Sequence, residues 1–326
     1  MVWMPNLLRP LPRMVVLGVS ALLLALAAGA PASVGHAAGG TSLRFYGTGD
    51  DELDRVRIPL GPISDGRLTG SYPVNVAGDF TVEFWMKAMV EENTAPVCEH
   101  GWYYGNIIVD RDVFGAGDHG DYGIALCAGR LAAGVSVGDD DRQLLSDAVV
   151  ADGQWHHVAL TRVDGGQIAL FVDGQPVASA AGPAGSVAYR AQRETEHPDS
   201  DPYLVLGAEK HLYPDSHHYA GFIDDLRISN VARYSGAFAR PAVPHEADAA
   251  TVALYRFDEG AGTVAGDSSG AAGGPSDGLL VVAGDPPSPA WSPDTPFAPA
   301  PAEPAAPAPP AEGDATPPPA EGEATP

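Results

Sequence analysis

Lysine is almost missing from this chain: Lys87 and Lys210 are the only two in 326 residues, and Lys plus Arg total 18 against 42 Asp plus Glu. The resulting formal charge of -24 excludes partners that are themselves polyanions. Nucleic-acid binding needs basic side chains to neutralise phosphates, and an anionic membrane surface makes the same demand. Cysteine is scarce too, with Cys98 and Cys127 alone. No second Cys or paired His stands at ligand spacing beside either, which argues against a zinc site at the cysteines. No apolar run approaches the roughly 20 residues of a membrane-spanning helix, and no sustained helical period occurs. What is present is ordinary for a globular protein, 45% hydrophobic and 8% aromatic. The length allows one large or two modest domains.

The two ends differ from the middle. Residues 1–38 hold Arg9 and Arg13, no acid, and the apolar run Met14–Ala28. This is the pattern of a secretory signal, with Ala30-Pro31-Ala32 or Gly35-His36-Ala37 at the cleavage region. A signal anchor is the alternative, and 15 apolar residues are too few for it. No membrane insertion is therefore expected after cleavage. Residues 298–326 are rich in Pro, Ala, Glu and Thr, lack aromatics, and contain the near-repeats PAEGDATP and PAEGEATP. Such a tail forms no core and reads as a tether or as plain disorder. The remaining 39–297 carry 16 basic and 37 acidic residues, a net of −21, so the acidity belongs to the folded part. In an exported chain the two cysteines read most simply as one bridge, Cys98–Cys127, with two buried thiols as the alternative.

Period-2 alternation dominates the middle. His156–Val163, Ile168–Val172 and the run to Ala178 form a predicted three-strand meander, its second turn set by Asp173-Gly174, the pair a type I′ hairpin favours. Further predicted strands are Ser42–Tyr46, Arg55–Leu60, Phe80–Ala88, Asn106–Arg111, Tyr122–Cys127, Arg130–Val137, Tyr203–Leu206, Gly221–Ser229 and Val252–Phe257. About a dozen short strands with Gly-rich turns predict an all-β protein of two antiparallel sheets packed as a sandwich. The expected core is Phe80, Val82, Phe84, Leu160, Leu170, Leu206, Phe222 and Ile228.

The blocks FTVEFWMKA (80–88), QWHHVALTRVDGGQIALFVDGQPV (154–177), YAGFIDDLRISNVARY (219–234) and TVALYRFDEGAGTVAGDSSG (251–270) resemble the laminin G-like, concanavalin A-like jelly-roll modules of secreted bacterial proteins. Their order is also the family's, over about residues 41–296. The resemblance implies a jelly-roll sandwich for 39–297, with 251–296 closing that same domain rather than opening a second one. The superfold hosts lectins, adhesive modules and glycosidases alike, so function has to come from the site. The hydrolase branches carry a Glu-x-Asp-x-x-Glu strand that is absent here. Glu83 stands alone on its strand, and Asp224 and Asp225, being adjacent, are expected on opposite faces. Neither a serine nucleophile elbow nor a phosphate loop appears, so no catalytic residues are assigned.

Metal candidates are Asp110, Asp112, Asp118 and Asp121, gathered where two predicted strands flank a turn. Clustered carboxylates are hard oxygen donors of the kind calcium takes, and a solvated acidic turn is the alternative. The resemblance to the pentraxin branch adds Glu209 after Leu206-Gly207, in the place of a calcium-binding glutamate. It also departs there: His211 replaces the following aspartate, leaving Asp215 as a substitute, and Asn106 corresponds to an upstream asparagine whose acidic neighbour is here Gly105. Ligand candidates are the aromatic loop Trp102, Tyr103 and Tyr104, whose flat rings suit sugar faces, together with Asn106 and the His211 and Tyr213 loop. Both loops also read as plain connections. The expectation is a secreted or cell-envelope module, non-catalytic, binding a glycan or an extracellular protein through rim loops with calcium assisting. A structural envelope spacer is the second reading and a jelly-roll glycoside hydrolase the last.

Overall fold

The computed structural model describes residues 40–48, 54–96, 98, 101–113, 120–211 and 217–297. In chain order the strands are β1 (Ser42–Tyr46), β2 (Arg55–Pro59), β3 (Ile63–Ser64), β4 (Arg67–Leu68), β5 (Phe80–Ala88), β6 (Asn106–Arg111), β7 (Gly120–Cys127), β8 (Arg130–Val137), β9 (Asp140–Val149) and β10 (His156–Arg162). There follow β11 (Gln167–Val172), β12 (Gln175–Ala181), β13 (Tyr203–Leu206), β14 (His217–His218), β15 (Ala220–Ser229), β16 (Thr251–Tyr255), β17 (Val264–Ala265), β18 (Gly278–Val281) and β19 (Ala290–Ser292). One sheet of eight strands runs β12-β11-β10-β5-β15-β1-β19, with β16 also on β15. The second, of nine, runs β17-β18-β2-β13-β6-β7-β8-β9, with the short β14 on β6. The long pairings are antiparallel, and the sheets close over one apolar core.

Local chemistry explains the best-predicted piece. β10, β11 and β12 form the meander, and Asp173 and Gly174 both take positive φ (50° and 77°), as a type I′ turn requires. Only glycine fits at 174, because a Cβ there would lie 2.1 Å from the Phe238 carbonyl oxygen. Strand β9 was not anticipated. Its opening Asp140, Asp141 and Arg142 occupy the exposed edge of the nine-stranded sheet, where charge protects against edge-to-edge pairing.

Seven of the eight expected core residues are buried, and Phe222 is not among them. It faces outward, with the Arg44 guanidinium 4.8 Å and the Lys87 ammonium 5.5 Å from its ring. The cause is a β-bulge. The β5–β15 register shifts between Asp224 and Arg227, and Asp225 takes φ 49°. One extra residue reverses the parity of the strand, so Ile223 points inward before the bulge while Leu226 and Ile228 point inward after it. For the same reason Asp224 and Asp225 are not on opposite faces. Asp224 accepts the Thr295 hydroxyl (2.9 Å) and Asp225 accepts the His245 backbone N–H (2.6 Å), both on the outside of the eight-stranded sheet.

The C-terminal segment is shared between the sheets. β16 pairs the second half of β15 while β1 pairs the first half, so the two lie end to end. Thr41 ties them, its hydroxyl donating to Phe257 O (2.6 Å). β18 then joins β2 and β19 joins β1. Limited proteolysis should therefore leave a resistant fragment extending past β19. A stable fragment ending near residue 245 would contradict this arrangement. A second expectation concerns pH. Burial and the neighbouring Asp225 and Asp258 charges push the Asp224 carboxyl up to about 9. The folded state thus keeps a proton that the unfolded chain loses above its ordinary value, so this contribution to stability is lost as pH rises towards 9. Asp224→Asn should flatten the decline in Tm between pH 5 and 9, measured by thermal melts.

Candidate functional site

Cross-strand register brings two of the predicted loops onto one surface. Asp110 on β6 pairs with Gly123 on β7, which pairs with Gly134 on β8. Val109 and Ile124 beside them point into the core, so this row faces outward. The two glycines form a notch filled by the Trp102 indole: a Cβ at either position would lie 2.1 Å from its ring. Trp102, in a 3-10 turn with Tyr103 and Tyr104, is consequently only 4% exposed and serves as a plug against the sheet. The Cys98–Cys127 disulfide, with Cα atoms 5.5 Å apart, sits in the same small cluster as Trp102, Ile107, Ala125 and Ala132. Tyr103 and Tyr104 remain half-buried, their rings 4.8 Å apart.

Beyond this aromatic shelf, Asp112, Glu209 and His211 converge, one donor atom from each lying within 4.8 Å of the others. His211 Nδ1 is 3.2 Å from Asp112 Oδ2 and 3.5 Å from Glu209 Oε1, and its Nε2 is 2.6 Å from Asp201 Oδ1. Burial opposes its charge, yet hydrogen bonds to Asp112, Asp201 and Glu209 raise the imidazole to about 11. At neutral pH it is an imidazolium held among three carboxylates. Burial likewise disfavours charge on Asp112, but the His211 hydrogen bond keeps its carboxyl below the usual range. Asp110, wholly buried, is pushed up to about 7 by burial and by Glu209 and Asp112. Its oxygens accept the Asp112 and Lys210 backbone N–H groups (2.7 and 2.8 Å), so it braces the loop. The Lys210 ammonium donates to the Asp201 and Tyr203 carbonyls. Tyr103 feels this cluster: burial, then the Tyr104, Asp141 and Asp112 charges, raise its phenol.

The remaining sequence candidates fall elsewhere. Asp121 accepts the Val113 N–H (2.9 Å) and the Ser136 hydroxyl (3.0 Å), pinning the strand ends. Asn106 is a clamp, accepting from Ala95 N and donating to His218 O. Asp118, Tyr213 and Asp215 lie outside the described residues. Asp201 and Lys210 were not anticipated, since their meeting depends on how the chain before and after β13 folds back: the Lys210 ammonium reaches the Asp201 carbonyl and His211 reaches the Asp201 carboxylate. Calcium takes six to eight oxygens. The described residues offer it Asp112 and Glu209 with a charged imidazole between them, so the resident positive charge comes from His211 itself.

A second polar cluster lies on the outside of the eight-stranded sheet. Glu83 is fully buried on β5 and accepts from Arg227 Nε (2.8 Å) and the Tyr234 hydroxyl (2.7 Å), with His157 and His245 adjacent. Burial works against ionisation, but these histidines and Arg227 hold the carboxyl well below its usual range. The sequence signal was the acid at an outward position between apolar residues. Its partners are remote in the chain, so it looked solitary.

A family model described as the concanavalin A-like lectin/glucanases superfamily matches residues 64–236, more than half of the chain, and the protein belongs to that family. Among solved structures, a candidate carbohydrate-binding protein from Bacteroides ovatus is similar at 16% identity and TM-score 0.47, covering 74% of this chain and 58% of the other. A SAP-like pentraxin from Limulus polyphemus gives 15% and 0.39, covering 60% and 78%. Domains LG4–5 of mouse laminin alpha1 give 17% and 0.38, covering 70% and 52%. A search of curated proteins finds no match. No helix among the described residues is long and apolar enough to cross a membrane.

The notch yields a direct test. Gly123→Ala should expel the Trp102 ring and cost about 1–3 kcal/mol in urea unfolding, the range for overpacking a filled site. An unchanged midpoint would contradict the plug.

Proposed function

We propose that this protein is a secreted, non-catalytic binding module that engages an extracellular glycan or protein through the outer face of its nine-stranded sheet. The observation that carries the reading is the shared face of Tyr103 and Tyr104 with the Asp112, Glu209 and His211 cluster, held by Gly123, Gly134 and the disulfide. Tyrosine rings offer flat apolar area with a polar tip that suits a sugar face, and the buried Asp112, Glu209 and His211 hold the loops beside them in place. Catalysis has less support. Glycoside hydrolysis needs one carboxyl to act as acid beside another, whereas Glu83 is buried, ionised and committed to Arg227 and Tyr234. The signal-like pattern of residues 1–38 and the Pro-rich composition of 298–326 fit export and display.

Calcium has a place in this reading only in exchange for the His211 charge, at Asp112 and Glu209. His211→Asp removes that competitor and restores an oxygen donor. The variant should gain a calcium-dependent rise in Tm, about 2.7 kcal/mol of stability at a hundredfold excess over Kd, exceeding any shift in the wild type. The binding reading is tested on a glycan array and an extracellular-matrix protein panel. Tyr103→Ala with Tyr104→Ala should abolish the captured signal while leaving the fold intact by near-ultraviolet circular dichroism. Absence of any captured ligand would favour a structural spacer.

A further inference from the structure

The cluster around Glu83 has a feature that a plain ion-pair network does not explain. His157 on β10 has no exposed side-chain surface, and neither ring nitrogen has a hydrogen-bond partner. Trp85 and Phe238 present their edges and faces to it at 5.6 and 5.8 Å between centroids, and the His245 ring lies 5.3 Å away. A polar group taken out of water without a partner costs about 1–3 kcal/mol. A neutral imidazole keeps a lone pair on one of its two ring nitrogens.

That lone pair has company. His157 Nε2 lies 3.3 Å from Glu83 Oε2 without forming a directed hydrogen bond, and His245 Nε2 lies 3.2 Å from the same oxygen. Donor atoms of all three residues fall within 4.8 Å of one another. Ligands about 2.0–2.2 Å from a tetrahedral zinc ion stand about 3.3–3.6 Å apart, and two imidazoles with one carboxylate are a known three-ligand zinc set. The outer groups also match. His245 Nδ1 is 2.5 Å from Asp225 Oδ2, the carboxylate behind a histidine that orients metal ligands. The β-bulge supplies this partner, because it turns Asp225 to the outer face. Arg227 lies on the other oxygen of Glu83, at 2.8 Å, with Arg233 Nε 3.7 Å away. Tyr234 donates its hydroxyl to Oε2.

We propose that Glu83, His157 and His245 form a binding site for a zinc-class divalent ion, which fastens the segment 230–250 across the outside of the eight-stranded sheet. Two ligands come from adjacent central strands, which the β5–β10 ladder fixes, and the third from the crossing segment. The ion would thus join a rigid wall to a segment that forms no strand. Tyr234 and Phe238, stacked at 3.6 Å, pack with Phe171 beside it and keep the site dry. Soft or borderline donors favour zinc, cobalt or nickel over calcium and magnesium. This site is separate from the Asp112, Glu209 and His211 face and stands whether or not that face binds a glycan.

The full-length chain, stripped with a chelator and given one equivalent of Zn²⁺, should retain the metal through gel filtration and melt at higher temperature. X-ray absorption of this zinc-loaded protein should show two imidazoles plus oxygen ligands, and Co²⁺ should give tetrahedral d–d bands. His245→Asn should weaken retention more than about 100-fold. Failure of the wild-type chain to retain zinc overturns the proposal. So does a shell with one imidazole, which would put the ion at Asp112, Glu209 and His211. The absorption experiment uses unsubstituted protein, so it decides the matter even if the variant does not fold.

Discussion

A carboxylate removed from water costs several kcal/mol unless its lone pairs are matched, and Glu83 stands unexposed in the middle of the central β5. Much of the outer layer over the eight-stranded sheet answers that demand. Arg227 comes from β15, and Tyr234 and His245 from the segment that leaves β15 and crosses back over the sheet, while His157 on β10 stands 3.3 Å away without a directed hydrogen bond. Removing Glu83 would leave a partly buried guanidinium and two buried imidazoles without their shared carboxylate. The segment 230–250 therefore owes its course to a charge as much as to the burial of Phe238.

The nine-stranded sheet is organised on a different principle. There the decisive residues lack side chains. Gly123 and Gly134, adjacent across β7 and β8, let an indole lie flush on a sheet that is otherwise side-chain clad. The plug and the disulfide hold the 3-10 turn, and the turn presents Tyr103 and Tyr104. Rigid anchoring of loop aromatics lowers the entropic cost of any contact they make. The neighbouring acid cluster is braced in the same way, Asp110 and Asp201 spending their oxygens on backbone and His211 so that Asp112 and Glu209 keep one position.

How far the sequence was readable follows from this division. Alternation and turn chemistry are local, and they located most long strands to within two residues, including the Asp173-Gly174 hairpin. The Phe222 error came from a single inserted residue at Asp225, which no period-2 argument can see, because the pattern on either side of the bulge is regular. Edge strand β9 was hidden by charges that are there to keep the edge solvated. The sites were less legible for a topological reason. Asp112 and Glu209 meet only because β13 lies beside β6, and Glu83 meets His245 only because a chain 162 residues further on crosses β5. Residue types were visible in both cases; the adjacency was not.

The chain's net acidity has a corresponding internal logic. Surplus carboxylates raise the free energy of the compact state by mutual repulsion unless positive charge is placed among them. With two lysines in the chain, that role falls to histidine and arginine. His211 is protonated among Asp112, Asp201 and Glu209, and His245, raised to about 9 by Asp225 and Glu83 against the opposing effect of burial, does the same on the other sheet. A proton on imidazole and a divalent ion are alternative ways to supply that charge, and they exclude each other at a given nitrogen. His157 distinguishes the two clusters. Its ring nitrogens make no directed hydrogen bond although Nε2 stands 3.3 Å from Glu83 Oε2, a deficit that an ion bound between the two imidazoles would fill.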